Sequence, residues 1–340
     1  MTPGTNDAAP EIPVTLETIQ AAAERIGPYV ERTPVLSSRS LNGPAGAEVF
    51  LKCENFQKVG AFKFRGAMNA VLSLDDAASK AGVVTHSSGN HGQALARAGQ
   101  LTGVPVCVIM PRTAPLVKRR ATEAFGASVV LCEPTLAARE AAVAAEIDKH
   151  GYELVHPFDD WRVIAGQGTA ALELLEQAGP LDYVVVPIGG GGLASGTAIA
   201  VKAISPSTKV IGVEPAAADD AARSLEAGRI LPSGDPKTMA DGLRTSLAPK
   251  TFAVLSRFVD EIVSATEAET LASMRLVWER FKIIIEPSCA VPVAPIHHRK
   301  IDVAGKRVGI VITGGNVDLD PIFDALRIKF VDPALETSNG

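Results

Sequence analysis

Cysteine is scarce in this chain: 4 residues in 340, at Cys53, Cys107, Cys132 and Cys289. None forms a C-x-x-C pair, so neither a zinc site nor a disulfide framework is indicated. Cys53, Cys107 and Cys132 fall in apolar, strand-like runs and read as core residues of a protein in a reducing compartment, the cytoplasm. No apolar run reaches the length of a membrane-spanning helix. Residues 1–14 have neither the basic nor the apolar stretch of a secretion signal and read as a flexible tail, with a second tail at 331–340. Nucleic-acid binding is disfavoured as well. The formal net charge is −5, and no basic-aromatic interleaving offsets it. The densest basic cluster, Lys118-Arg119-Arg120, reads as a solvated helix face. Internal repeats and low-complexity tracts are lacking, and the short stretch after the last strand-like run leaves no room for a regulatory domain.

What remains is an ordinary globular composition, 46% hydrophobic and 21% charged, long enough for two domains or one large α/β unit. Strands are predicted at Val49–Cys53, Gly82–Thr85, Val104–Met110, Ser128–Cys132, Glu153–His156, Tyr183–Ile188, Lys209–Val213 and Val308–Thr313. Their near-continuous apolar character suits strands buried on both faces of a parallel sheet. Helical patterns alternate with them at Phe64–Leu72, His91–Gly99, Pro115–Phe125, Leu136–Lys149, Thr169–Gln177, Leu193–Ala203 and Glu267–Phe281. The order implies an α/β fold of mostly parallel sheets flanked by helices. Residues 81–157 form a candidate smaller domain, and 15–80 with 158–330 a larger discontinuous one. Gly228–Thr238 reads as a surface loop.

Chemistry concentrates in a few segments. Glu54-Asn55-Phe56-Gln57-Lys58-Val59-Gly60-Ala61-Phe62-Lys63-Phe64-Arg65-Gly66-Ala67 sets Lys63 between aromatics at a loop-to-helix junction. A lysine there can form an imine with an aldehyde cofactor if its amine is neutral, and an apolar setting lowers its pKa. Taken alone, the segment equally suits a solvated lysine near a helix start. Val186-Pro187-Ile188-Gly189-Gly190-Gly191-Gly192-Leu193 runs from a strand through four glycines into a helix. Consecutive backbone N–H groups and the helix dipole favour a phosphate there, the alternative being a tight turn. The strand–turn–helix–strand order followed by Glu214 also raises a nicotinamide-dependent dehydrogenase. The G-x-G-x-x-G fingerprint is met only in part, by Ala194 or Ser195 at its last position, and that reading leaves Lys63 without a role. His86-Ser87-Ser88-Gly89-Asn90-His91-Gly92-Gln93 gathers hydroxyls, an amide and N–H groups suited to a carboxylate, or to a helix cap. Val311-Ile312-Thr313-Gly314-Gly315-Asn316 ends a buried strand with a hydroxyl and two glycines.

Together and in this order, these segments resemble the fold type II pyridoxal-phosphate enzymes, in the serine/threonine dehydratase and serine racemase branch, over about residues 15–330. The resemblance implies two domains of tryptophan synthase β-like architecture. In the S/A-F-K-x-R-G-A motif it implies Lys63 as the lysine carrying pyridoxal 5'-phosphate, with Phe62 against the pyridine ring. Gly189, Gly190, Gly191, Gly192 and Leu193 would form the phosphate cup, and Asn90 would bond the phenolic oxygen. Ser88 matches a second acid/base. Thr313 stands where a serine usually faces the ring nitrogen, and Glu286 matches an acid near that end, although Cys289, Pro292 and Pro295 depart from the usual small-residue pattern. Glu214 and Asp220, with the Ala218 carbonyl, resemble a divalent-cation site for Mg2+ or Mn2+; a helix start rich in acids is the alternative. Ser87, Ser88, Gly89, Asn90 and His91, together with Arg139 and Thr245, match substrate-side positions.

The implied chemistry is dehydration of a β-hydroxy-α-amino acid to a 2-oxo acid and ammonia, with racemisation as a side activity. The wording around Lys63 resembles the serine racemase and 3-hydroxyaspartate dehydratase subgroup. A guanidinium at Arg139 suits a second carboxylate, or a solvated helix. The expectation is therefore 3-hydroxyaspartate converted to oxaloacetate, with serine and threonine as alternatives, by a homodimer.

Overall fold

The computed structural model describes residues 11–327. The tail expected at 331–340 lies outside them, as does most of the one expected at 1–14. Within the latter, Ile12 and Val14 pack on the core, ahead of the helix Leu16–Ile26 capped by Thr15.

Ten strands are present among these residues: β1 (Val35–Leu36), β2 (Glu48–Cys53), β3 (Val83–His86), β4 (Val106–Pro111), β5 (Ser128–Cys132), β6 (Glu153–Leu154), β7 (Tyr183–Pro187), β8 (Lys209–Pro215), β9 (Glu261–Ala265) and β10 (Arg307–Ile312). They form a six-stranded sheet in the order β1-β2-β10-β7-β8-β9 and a four-stranded sheet in the order β5-β4-β3-β6. All pairings are parallel except β1 with β2. The centre of the larger sheet is the β-branched runs of β10 and β7, fully buried over Val308–Ile312 and Val184–Val186. Such runs pack helices on both faces.

The strands unannounced by an apolar run are the edges. β1 has two residues, neither fully buried, and Glu261 and Ser264 of β9 are exposed. The helix expected at Thr169–Gln177 begins earlier, at Trp161, with Asp160 as its cap. Its Gly166 and Gly168 discourage a helix in sequence, yet they are where other backbones cross. A Cβ at Gly166 would meet Arg65 O and Gly66 Cα, and one at Gly168 would meet Gly196 O. One long helix thereby sets the separation between the Lys63–Leu72 helix and the Gly192–Ile204 helix.

A buried ionic network fixes the first of these. Arg65 donates to Glu54 (Nε–Oε2 2.7 Å, Nη2–Oε1 2.8 Å) and to Glu173 (Nη1–Oε1 2.7 Å). Lys52 Nζ meets Glu173 Oε2 at 2.5 Å, Thr33 O at 2.7 Å and Gln177 Oε1 at 2.9 Å. Arg65, Lys52 and Glu54 have no solvent exposure. Burying such charges is tolerated only when each finds a partner.

Candidate active site

The carboxyl ends of β10, β7 and β3 converge on Lys63, the arrangement by which parallel sheets present ligand sites. The loop before Lys63 is stitched to the end of β10: Phe62 N donates to Thr313 O (2.9 Å) and Gly315 N to Gly60 O (2.9 Å), with a bridge between Ala61 and Gly314. Lys63 Nζ donates to Pro157 O at 2.9 Å and lies 5.2 Å from the Phe62 ring centroid. It has no carboxylate at ion-pair distance among the described residues. Part of the side chain reaches the cleft surface, but burial of the amine lowers its pKa to about 8, against an opposing pull from Glu286. Roughly a tenth of the amine is then neutral a unit below that value.

Glu286 is 5% exposed, and burial, with Asp241 adding to it, raises its carboxyl to about 7. Asn90 Nδ2 donates to both of its oxygens, at 3.1 and 3.2 Å. Thr313 is 3% exposed, with Oγ1 2.9 Å from the Cys289 thiol.

Two helix N-termini lie near Lys63: Asn90 bonds Glu286, whose charge acts on Lys63, and Gly190 and Gly192 lie against Phe158, next to the Pro157 that accepts from Lys63. Several described helices start under side-chain caps, where Thr15, Asp75, Thr135, Asp160 and Thr266 each accept a backbone N–H, while others, among them Lys63–Leu72 and Leu116–Ala124, start without one. The helices Asn90–Thr102 and Gly192–Ile204 carry neither a side-chain cap nor an acidic residue in the first turn, although Gly192 and Leu193 are buried. N–H groups at such helix starts suit an anion. In the glycine turn, Gly191 has φ +87°, and a Cβ on Gly190 would enter the Phe158 ring. The turn is shaped by lack of side chains.

Sequence reasoning missed the segment after β6. His156 Nδ1 accepts N–H groups from Phe158 (3.4 Å) and Asp159 (2.9 Å), which leaves the neutral ring's proton on Nε2. Burial, then His86 and Lys63, pushes its pKa down to about 4. Its ring stands edge-on to His86 (centroids 5.4 Å) and to Phe158 (4.6 Å). The expected strand Glu153–His156 ends at Leu154 because His156 turns to cap the following loop. A polar His-Pro-Phe-Asp-Asp string after an apolar run was the available signal.

The chain matches the family model described as "Pyridoxal-phosphate dependent enzyme" over residues 26–314. It belongs to the pyridoxal-phosphate dependent enzymes. A β-hydroxyaspartate dehydratase of Paracoccus denitrificans is 50% identical over 91% of this chain and 98% of that relative. A serine racemase of Dictyostelium discoideum is 49% identical over 94% and 99% respectively. The crystal structure of the serine racemase from Dictyostelium discoideum superposes with a TM-score of 0.87, at 48% identity over 90% of this chain and 99% of that one. Family membership removes the nicotinamide-dependent dehydrogenase.

The residues fit the cofactor of this family on structural grounds. A buried, uncapped helix start and a glycine cradle suit its phosphate, and a buried amine with lowered pKa suits its aldehyde. The remaining sequence-predicted residues distribute unevenly. His91 is buried, with Nε2 3.2 Å from Val155 O and Nδ1 without a partner. Ser87 accepts from Gly89 N (3.2 Å), while Ser88 and Gly89 lie half-buried in the bend after β3. Arg139 has a buried Nε without a hydrogen bond and acts on His86, whose pKa is lowered by burial and then by Arg139. Thr245 is exposed, and nothing among the described contacts links it to Lys63.

The cation candidates lie one layer away. Glu214 accepts from Ala221 N and Ala222 N, both at 2.9 Å, and Asp220 Oδ2 accepts from Leu247 N at 3.1 Å. Leu247 in turn packs on Gly191. Both carboxylates and Ala218 are 1% exposed, and burial raises Glu214 to about 8 and Asp220 to about 6. An all-oxygen set of buried, mutually repelling carboxylates suits a hard cation. Among the described residues no three His, Cys, Asp or Glu side chains cluster as a metal set, so water would complete the shell.

Proposed function

We propose that this pyridoxal-phosphate dependent enzyme is a carbon–oxygen lyase that converts 3-hydroxyaspartate to oxaloacetate and ammonia. The observation that carries the lyase reading is the buried Lys63 amine, which bonds a backbone carbonyl and no carboxylate, near two helix starts without side-chain caps. When bound, the cofactor supplies an electron sink for the charge left on the α-carbon. Lys63 would attach it, and its amine would take the α-proton. Gly189, Gly190, Gly191, Gly192 and Leu193 would hold the phosphate. Phe62 would pack on the ring, Asn90 would donate to its phenolic oxygen, and Thr313 with Glu286 would attend the nitrogen end. The start of the Asn90–Thr102 helix, with Ser87, Ser88, Gly89 and His91, takes the α-carboxylate. Ser88 acts as the second acid/base, and Thr245 lies on the substrate side.

Arg139 supports the choice of 3-hydroxyaspartate. Its buried Nε lacks a partner, and a second carboxylate would satisfy it. The 50% identity to a β-hydroxyaspartate dehydratase points the same way. The second reading, a serine or threonine dehydratase or serine racemase, draws on the 49% identical serine racemase and on Ser88. Oxo-acid and ammonia release from the hydroxyaspartate stereoisomers, L-serine, D-serine and L-threonine decides between them. Preference for one hydroxyaspartate isomer, abolished by Arg139→Ala, supports the first; equal or better turnover of serine overturns it.

The reading extends to a divalent cation, Mg2+ or Mn2+, held by Glu214, Asp220 and the Ala218 carbonyl. Chelator should lower the thermal midpoint and Mg2+ restore it, whereas indifference to both would remove the cation. It also extends to the domains, 81–157 against 15–80 with 158–330, and to a reducing, cytoplasmic setting in which the four buried cysteines stay free. A second copy of the chain would cover the exposed Phe56, Ile284 and Phe323.

A further inference from the structure

Asn316 belongs to no role assigned above, yet it touches two parts of the site. Its Nδ2 donates to Val59 O at 2.7 Å and to Asn90 Oδ1 at 3.0 Å. The backbone carbonyl of Val59 can only accept, so it fixes the amino end of the Asn316 amide. The second hydrogen of that amino group then requires an acceptor, and Asn90 must offer its oxygen. Asn90 is thereby left with its own amino group pointing inward, where Glu286 accepts from it at 3.1 and 3.2 Å. Each amide orientation is determined by its neighbour, starting from a carbonyl that cannot be turned over.

The anchor itself is strained. Val59 has φ +56°, a left-handed conformation that a β-branched residue adopts only when its surroundings hold it there. Gly60 follows at φ +69°, and a Cβ on it would collide with the Asn316 amide oxygen. The loop that delivers Lys63 is therefore wedged and tied by Asn316. Asn316 itself is exposed at the mouth of the cleft.

We propose that Asn316 is a positioning residue: its amide dictates which end of Asn90 faces the cofactor and links that choice to the strained loop before Lys63. The inference rests on the reading that Asn90 donates to the cofactor's phenolic oxygen. A residue at the cleft mouth thus controls a donor it does not itself supply.

Holoenzymes carrying Asn316→Asp and Asn316→Ala test this beside the wild type and Lys63→Ala. The readouts are the dissociation constant for pyridoxal phosphate, the ratio of its bound absorption bands and the thermal midpoint. Asn316→Asp keeps the shape but offers only acceptors, so it draws the Asn90 amino group outward. Asn316→Ala removes the outer donor and leaves the Asn90 amide held by Glu286 alone. The order expected is wild type, then Ala, then Asp, with cofactor binding about tenfold weaker and an altered band ratio in Asn316→Asp. A structural clamp alone predicts Ala no better than Asp, with band ratios unchanged in both, and that result overturns the proposal. Unchanged Asn316→Asp spectra with loss of the lysine-linked band in Lys63→Ala overturn the positioning role and leave the site reading standing. Persistence of that band in Lys63→Ala overturns the site reading and the positioning role together.

Discussion

Lys63 and Arg65 stand two residues apart at the start of one helix, both with buried charged ends, and their surroundings differ completely. Arg65 meets Glu54 and Glu173 at 2.7 Å each. Burial works against its charge, but the two carboxylates more than offset it and its pKa rises. Lys63 meets a backbone carbonyl and an aromatic ring, and burial prevails. Pairing makes a buried charge structural, while leaving it unpaired makes its proton available for chemistry. The first residue holds the helix in place, and the second uses the position so obtained.

The contrast can be broken at either end. Lys63→Ala should abolish turnover and the lysine-linked cofactor absorbance while leaving the fold intact; residual turnover near wild-type level would remove Lys63 from the centre of the site. Arg65→Met should act in the opposite sense, on stability first. Removing one partner of a buried network costs about 3–5 kcal/mol, readable in urea unfolding, and a loss under about 1 kcal/mol would show that Glu54 and Glu173 manage without it.

The pH dependence sharpens the comparison further. Lys63 titrates at about 8, and only its neutral form attacks an aldehyde. The rate at which apoenzyme captures the cofactor should therefore climb about tenfold per unit below that value and level off above it. A rate already flat from pH 6 to 9 would mean that the amine is neutral throughout. The smallest effect belongs to a pair with no burial at all: Lys237 and Asp235 are 83% and 87% exposed, and Lys237→Ala should leave the thermal midpoint unchanged.

Legibility in the sequence follows the range of the interaction that makes each feature. The strand cores of β7, β8 and β10 and the family motifs are local, since continuous β-branched runs, a glycine tetrad and a lysine beside aromatics announce themselves. β1 and β9 are hidden because edge strands need no apolar run. The early turns of the Trp161–Ala178 helix are hidden because Gly166 and Gly168 answer to other helices. Pro157 and His156 were invisible for the same reason. The Pro157 carbonyl accepts from Lys63, some ninety residues earlier in the chain, and His156 accepts the N–H groups of the loop that follows it. Thr245, singled out by resemblance, is exposed.

The Trp161–Ala178 helix has a consequence as a gauge. On the proposed reading, a cofactor fastened at one end to Lys63 and at the other to the glycine turn would be attached at two points, and the span between them would have to equal its own length. Gly166 touches the helix of the first point and Gly168 the helix of the second. A single methyl group added at either position would alter the span itself, leaving both attachments chemically whole and dimensionally wrong.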